Sequence, residues 1–222
     1  MTRTKLIHRT LPTYTFGEEI MNMVTHIVGG ALGIAVLVLC VLKAASGTAW
    51  DIVGVSIYGT SMIALYCVSS VYHGLRTNTS KKVMQVIDHC TIYFLIAGTY
   101  TPILLSAMVP TYPWIGWGLL IAEWGMAALA ITLTAIDLEK YNSFSMVCYV
   151  GMGWGIILFL NQAKEVMTGN GFYLLLWGGI AYTVGAILYA IGSKKHWFHA
   201  IFHIFVVLGS FLQFLAIYFY AL

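Results

Sequence analysis

The sequence predicts an all-α membrane protein: one domain over 1–222, built as a bundle of seven transmembrane helices. Three observations predict it. Of 222 residues, 60% are hydrophobic and 9% charged. A water-soluble domain of this size cannot hide so much apolar surface, because surface area falls too slowly with mass. Apolar stretches of spanning length recur at about 20–43, 50–74, 83–106, 114–135, 143–160, 171–191 and 197–220. The connections between them are short, and none reads as a soluble domain, a repeat or a low-complexity segment.

Each span carries its own signals. A short polar segment, residues 1–19, leads into the first, and Thr15-Phe16-Gly17-Glu18 has the pattern of a capping box at a helix start. The first apolar run ends without a small-residue cleavage pattern, so it is expected to remain as a span. Its Gly29, Gly30 and Gly33, and Gly151, Gly153 and Gly155 of the fifth span, are expected to let helices pack closely. The second span closes on SSVYHGL, with Ser69 and His73. The third opens on VMQVIDHC, with Asp88, and carries Pro102, which should kink it or free a carbonyl in its outer half. Glu123 lies near the middle of the fourth, as part of a proton or ion path or as a protonated group bonded to a neighbouring helix. The fifth span is the shortest. The seventh begins HAIFHIFVVLGSF, with His199 and His203. Trp and Tyr near the span ends read as interface anchors. Cys40, Cys67, Cys90 and Cys148 lie in apolar runs without a C-x-x-C pair and read as small buried residues.

Orientation follows from the basic residues. Arg3, Lys5, Arg9, Arg76, Lys81, Lys82, Lys140, Lys194 and Lys195 fall on one side, and Lys43 and Lys164 on the other. The positive-inside rule then puts the N-terminus in the cytoplasm and the C-terminus outside, with the chain crossing the cytoplasmic membrane many times. No basic run is long enough to indicate nucleic acid as a partner.

With that orientation, polar groups from distant parts of the chain share one depth. His73 lies three residues before Arg76, Asp88 six after Lys82, His199 and His203 four and eight after Lys195, and His26 seven after Glu19. At ~1.5 Å per residue, these positions are roughly 4–12 Å below the cytoplasmic boundary. His199 and His203 are i, i+4, the spacing at which two imidazoles on one helix face reach one ion; Ser69 and His73 share that spacing. Three neutral imidazoles with an open fourth position form a ligand set of catalytic zinc. Asp88 then fits as the group that holds a water and takes its proton, zinc lowering that water's pKa from about 16 to near 7. An acid inside a span costs about 2.5–3.5 kcal/mol and should have a partner. A lone histidine near a membrane end is more often an interfacial or packing residue, and His8 and His196 are read so. His89 is set aside because it points about 100° from Asp88 on the same helix.

TFGEEIMNMVTHIVGG, SSVYH, DHCTIYFLIAGTYTPILL, YVGMGWG and HAIFHIFVVLGSF, in that order and covering nearly the whole chain, resemble the hemolysin III proteins of bacteria. These are the prokaryotic branch of the progestin and adipoQ receptor family, which includes the adiponectin receptors. The resemblance implies a seven-helix bundle with its N-terminus inside and a zinc ion near the cytoplasmic surface. His73, His199 and His203 match the family's zinc ligands, Asp88 its aspartate and Ser69 its serine. Glu19, Asn22 and His26 match its first motif, with a role in packing or polar support of the site. Glu123 matches no motif of the family.

The resemblance also bears on function. Some eukaryotic relatives look like zinc-dependent amidases acting on ceramides, and bacterial members carry a haemolysin label or an association with membrane fluidity and fatty-acid composition. A seven-span protein that stays in its own membrane fits a released toxin poorly. The leading expectation is a protein of membrane-lipid homeostasis, a ceramidase-like zinc hydrolase of a lipid amide or ester, with membrane lipids as its partners. One alternative is a non-catalytic receptor or sensor of membrane state with structural zinc. Another is a proton or ion transporter using Glu123.

Overall fold

The computed structural model describes residues 4–192 and 195–222. Arg3 and Lys194, both counted in the basic asymmetry, lie outside the described residues. Among those described, seven helices are long and apolar enough to cross a membrane: α1 (Phe16–Ala44), α2 (Ala49–Gly74), α3 (Thr79–Thr111), α4 (Pro113–Ile136), α5 (Asn142–Val166), α6 (Thr168–Gly192) and α7 (Phe198–Ala221). The described residues contain no strand, and a short 3₁₀ turn, Leu6–His8, precedes the bundle.

Helix starts are local chemistry. At α1 the expected capping box forms: Glu18 N–H donates to Thr15 Oγ1 at 3.3 Å, and Thr15 N–H to Glu18 Oε2 at 2.8 Å. Thr48 and Asp51 repeat it at α2, and Asn78 Oδ1 accepts from the Lys81 amide at 2.9 Å at α3. Pro102 neither ends nor sharply breaks α3. The chain passes into a wider π turn over Ile103–Met108 and continues to Thr111, beyond the expected 106. The proline ring crowds the carbonyl one turn back and offers it no N–H; the widened π turn follows on its C-terminal side. The fifth span also outruns its expected 143–160. It loses α geometry at Trp154, runs as 3₁₀ helix over Gly155–Phe159 and resumes over Leu160–Val166.

Two of the three glycine sites in α1 act as expected. A Cβ on Gly29 would stand 2.5 Å from the Tyr66 ring, and one on Gly33 3.2 Å from Ile63, so small residues set the α1–α2 spacing. In α5 the expectation fails: Gly151 and Gly153 face open space, and Gly155 alone of the three meets a neighbour, Glu123. The cysteines also divide. Cys40 and Cys148 are buried, but Cys67 is exposed and Cys90 half-buried, because apolar character does not decide which side of a span faces protein. Trp114, Ile121, Val147 and Leu158 point outward, where hydrocarbon replaces water as their solvent. Inside, the Ser210 hydroxyl lies 2.6 Å from Tyr66 Oη and 2.7 Å from Tyr182 Oη, tying α2 and α6 to α7.

Candidate metal centre

The start of α1, the end of α2 and the starts of α3 and α7 meet at one end of the bundle, as the shared depth requires. His73, His199 and His203 are buried there, and one ring nitrogen from each lies within 4.8 Å of the others. His203 Nε2 and His199 Nε2 are 3.0 Å apart. Two nitrogens bound at 2.0–2.1 Å to one tetrahedral ion stand about 3.3 Å apart, so the pair is already close to that geometry.

The groups behind the rings settle which nitrogens can bind. Glu19 Oε2 lies 2.6 Å from His73 Nδ1. A carboxylate only accepts, so Nδ1 carries the proton and the lone pair sits on Nε2. That Nε2 is buried and has no partner among the described residues. The Asn22 carbonyl, 3.2 Å from His203 Nδ1, fixes the same tautomer on His203. Anchoring of this kind orients a ligating imidazole and raises its basicity. The other oxygen of Glu19 accepts from Lys81 Nζ at 2.6 Å, and Lys81, itself buried, also donates to the Leu75 carbonyl at 2.9 Å. His26 lies face to face with His203, ring centroids 3.8 Å apart.

Ser69 is buried, and it lines one cavity together with Asp88, His199 and His203. Asp88 is outside the converging trio. Tyr14 covers the polar end. Its ring stacks on His199 at 4.8 Å and lies 5.8 Å from His73. Burial, reinforced by Tyr189 and Glu19, pushes its phenol above the usual range, so it stays a neutral hydroxyl. Glu18 joins α1 to the start of α7: the Trp197 amide donates to Oε1 at 2.6 Å, and His196 Nδ1 lies 3.2 Å from Oε2. That anchor holds Trp197 in a left-handed conformation, φ 68°. His196 is largely exposed and His8 exposed, as expected of boundary residues.

The cavity offers about 160 Å³ to the centre of a water molecule. Its wall runs along α3 from Gln85 to Tyr100 and along α7 from His199 to Gln213, each length roughly 20 Å at 1.5 Å per residue. Past the polar head the wall is largely apolar, with Leu65, Ile92, Leu95, Phe202 and Val206. A further space of about 50 Å³ adjoins it and shares Thr99, Tyr100, Trp154 and Gln213. His89, set aside on its helical angle, is part of this wall. Glu123 is buried, its Oε2 unpartnered among the described residues; it faces the break in α5 at Gly155 and is not part of the wall.

Residues 14–214 match the haemolysin-III related family. The chain belongs to that family. It is 40% identical over 208 residues to the Hemolysin-3 homolog of Bacillus subtilis (strain 168), covering 93% of this chain and 96% of that one. It is 40% identical over 206 residues to Hemolysin-3 of Bacillus cereus, 92% of each. The monocyte to macrophage differentiation factor of Homo sapiens is 28% identical over 218 residues, 91% of this chain and 84% of that one. The resemblance read from five motifs therefore stands, and the haemolysin-III match takes in the whole centre from Tyr14 to His203. Of the supporting residues, Glu19, Asn22 and His26 are legible as one face of α1 at i, i+3 and i+7. Lys81 and Tyr14 carry no such signal: a lysine in a first helical turn and a tyrosine before a span are ordinary boundary residues.

Proposed function

We propose that this haemolysin-III family protein is a zinc-dependent lipid hydrolase of the cytoplasmic membrane, cleaving an amide or ester whose acyl chain lies in the cavity. One observation carries this: the histidine trio, Asp88 and Ser69 stand together at the head of an apolar cavity roughly 20 Å long. One leaflet's hydrocarbon is about 15 Å deep, so the cavity has the length for an acyl chain.

His73, His199 and His203 would hold the metal, and three imidazoles without a thiolate suit zinc. Bound there, zinc supplies Lewis acidity that polarises a carbonyl and acidifies water. The protein's own groups do the rest. Glu19 keeps the His73 ring oriented. Ser69, which lines the cavity with Asp88, would donate to one oxygen of that carboxylate and leave the other for the attacking water. As that water's oxygen bonds to the carbonyl carbon, Asp88 takes its proton and returns it to the amine or alkoxide released when the C–N or C–O bond breaks. Tyr14 keeps bulk water from the polar end. The basic asymmetry puts this end beneath the cytoplasmic headgroups.

A second reading makes the metal structural in a sensor of membrane state, and the tie from Lys81 on α3 through Glu19 on α1 to His73 on α2 favours it. Purified protein, assayed for bound metal and for fatty-acid release from bacterial lipids, decides between them. A hydrolase loses metal in His203→Ala, whereas Asp88→Ala keeps metal and melting temperature but releases no fatty acid. Metal binding without release from any lipid would leave the structural reading.

A further inference from the structure

A second polar station lies at the far end of the cavity. Gln213 on α7 is buried and lines both spaces where they meet. Its Nε2 donates to the Leu175 carbonyl on α6 at 3.2 Å. A carbonyl only accepts, so the amide's orientation is fixed, and Oε1 is left buried with no partner among the described residues. The side chain is also clamped: a Cβ on Gly178 would stand 2.7 Å from Nε2 and 3.1 Å from Cγ.

The side-chain hydrogens of Thr99, Tyr100, Trp154 and Thr183, which stand beside Gln213, are engaged elsewhere. Thr99 donates to the Leu95 carbonyl at 2.8 Å, and Tyr100 to the Gly153 carbonyl at 3.1 Å. Trp154 Nε1 donates to Thr183 at 3.0 Å, and Thr183 to the Gly179 carbonyl at 2.8 Å. Among the described residues, the far end therefore has an acceptor to spare and none of these side-chain donors free to meet it. A buried acceptor in this state calls for a partner that the bound molecule brings.

We propose that Gln213 recognises a hydroxyl near the ω end of the lipid chain in the cavity. Ten residues of α7 separate it from His203, so the hydroxyl lies roughly 15 Å from the group held at the metal. The partner must be a donor, because Oε1 only accepts. It must also be neutral, because no carboxylate lines the wall at this end to balance an ammonium. This rests on the reading that the cavity takes an acyl chain with its head at the histidines.

The test uses the full chain in lipid nanodiscs, with tryptophan quenching to follow binding of lauric acid, ω-hydroxylauric acid and a mid-chain hydroxylauric isomer. The two isomers are equally polar, so their ratio cancels partition into the bilayer, and it needs no variant that might misfold. Wild type should bind the ω isomer about tenfold more tightly than the mid-chain isomer. Gln213→Met should bring that ratio to about one while still binding lauric acid. Equal affinities in wild type would overturn the assignment and leave ordered water as the partner of Gln213, with the acyl-chain reading intact as long as lauric acid binds. No binding of any of the three acids overturns both.

Discussion

Replacing Glu19 by glutamine tests whether the metal centre depends on charge held behind its ligands. Glu19 Oε2 lies 2.6 Å from His73 Nδ1, and Oε1 lies 2.6 Å from Lys81 Nζ. Glutamine keeps the shape and removes the charge. Loss of such an outer partner weakens metal binding about 10–100-fold, or about 1.4–2.7 kcal/mol. Stability falls as well, because the Lys81 side chain is 4% exposed and loses its counter-charge. Breaking a fully buried pair costs about 3–5 kcal/mol; here Glu19 is 20% exposed and Lys81 keeps the Leu75 carbonyl, so about 2–3 kcal/mol is expected. Lys81 touches no ligating nitrogen, but its Nζ also lies 3.4 Å from the His73 carbonyl, so its effect on metal passes through Glu19 or through that backbone contact, and the Glu19→Gln background separates the two. A double-mutant cycle then predicts that Lys81→Met weakens zinc binding in the wild-type background and not in the Glu19→Gln background. Competition for zinc against a chelating dye, with thermal unfolding in nanodiscs, reads both quantities. Unchanged zinc affinity in folded Glu19→Gln protein would refute the role of Glu19, and equal effects of Lys81→Met in both backgrounds would refute the relay.

Tyr14→Ala should speed zinc removal by a chelator while leaving equilibrium zinc content near wild type; an unchanged rate would show that the ring is no cover. Gly29→Ala should cost about 1–3 kcal/mol, seen as a lower melting temperature, because its Cβ would meet a Tyr66 ring whose hydroxyl is tied to Ser210. The Asp137 carboxyl is held below its usual range chiefly by the Thr4 amide, 2.7 Å from Oδ2, and then by the Lys140 amide. A depressed carboxylate stabilises the fold above its unfolded pKa of about 3.9, and that contribution is lost as pH falls through the lower folded value. Hydrogen exchange of the N-terminal segment should therefore stay slow down to about pH 4 and quicken below it, and the step should be absent in Asp137→Asn. If Glu123 served a proton or ion path, liposomes would show flux that Glu123→Gln abolishes; the hydrolase expects flux no greater than that of protein-free liposomes.

The seven spans and the set His73, Asp88, His199 and His203 are legible in one dimension because a bilayer imposes one axis and one length on every segment. Counting residues from the charged boundaries measures depth, and depth alone brings these side chains to one level. Rotation about each helix axis is a different quantity, decided by which neighbours pack. Lys81 counts in the sequence only as one of the basic residues on one side, and it is buried on Glu19. His89 reads as misdirected and lines the cavity, and Gly151 and Gly153 read as packing sites and face open space. Tyr14 over His199, and Gln213 clamped on α6 with an unpaired oxygen, exist only once distant helices have closed around a common space. Depth is a property of single segments and survives in the order of residues; the azimuth of a helix, and hence which groups share a cavity, belongs to the assembled bundle.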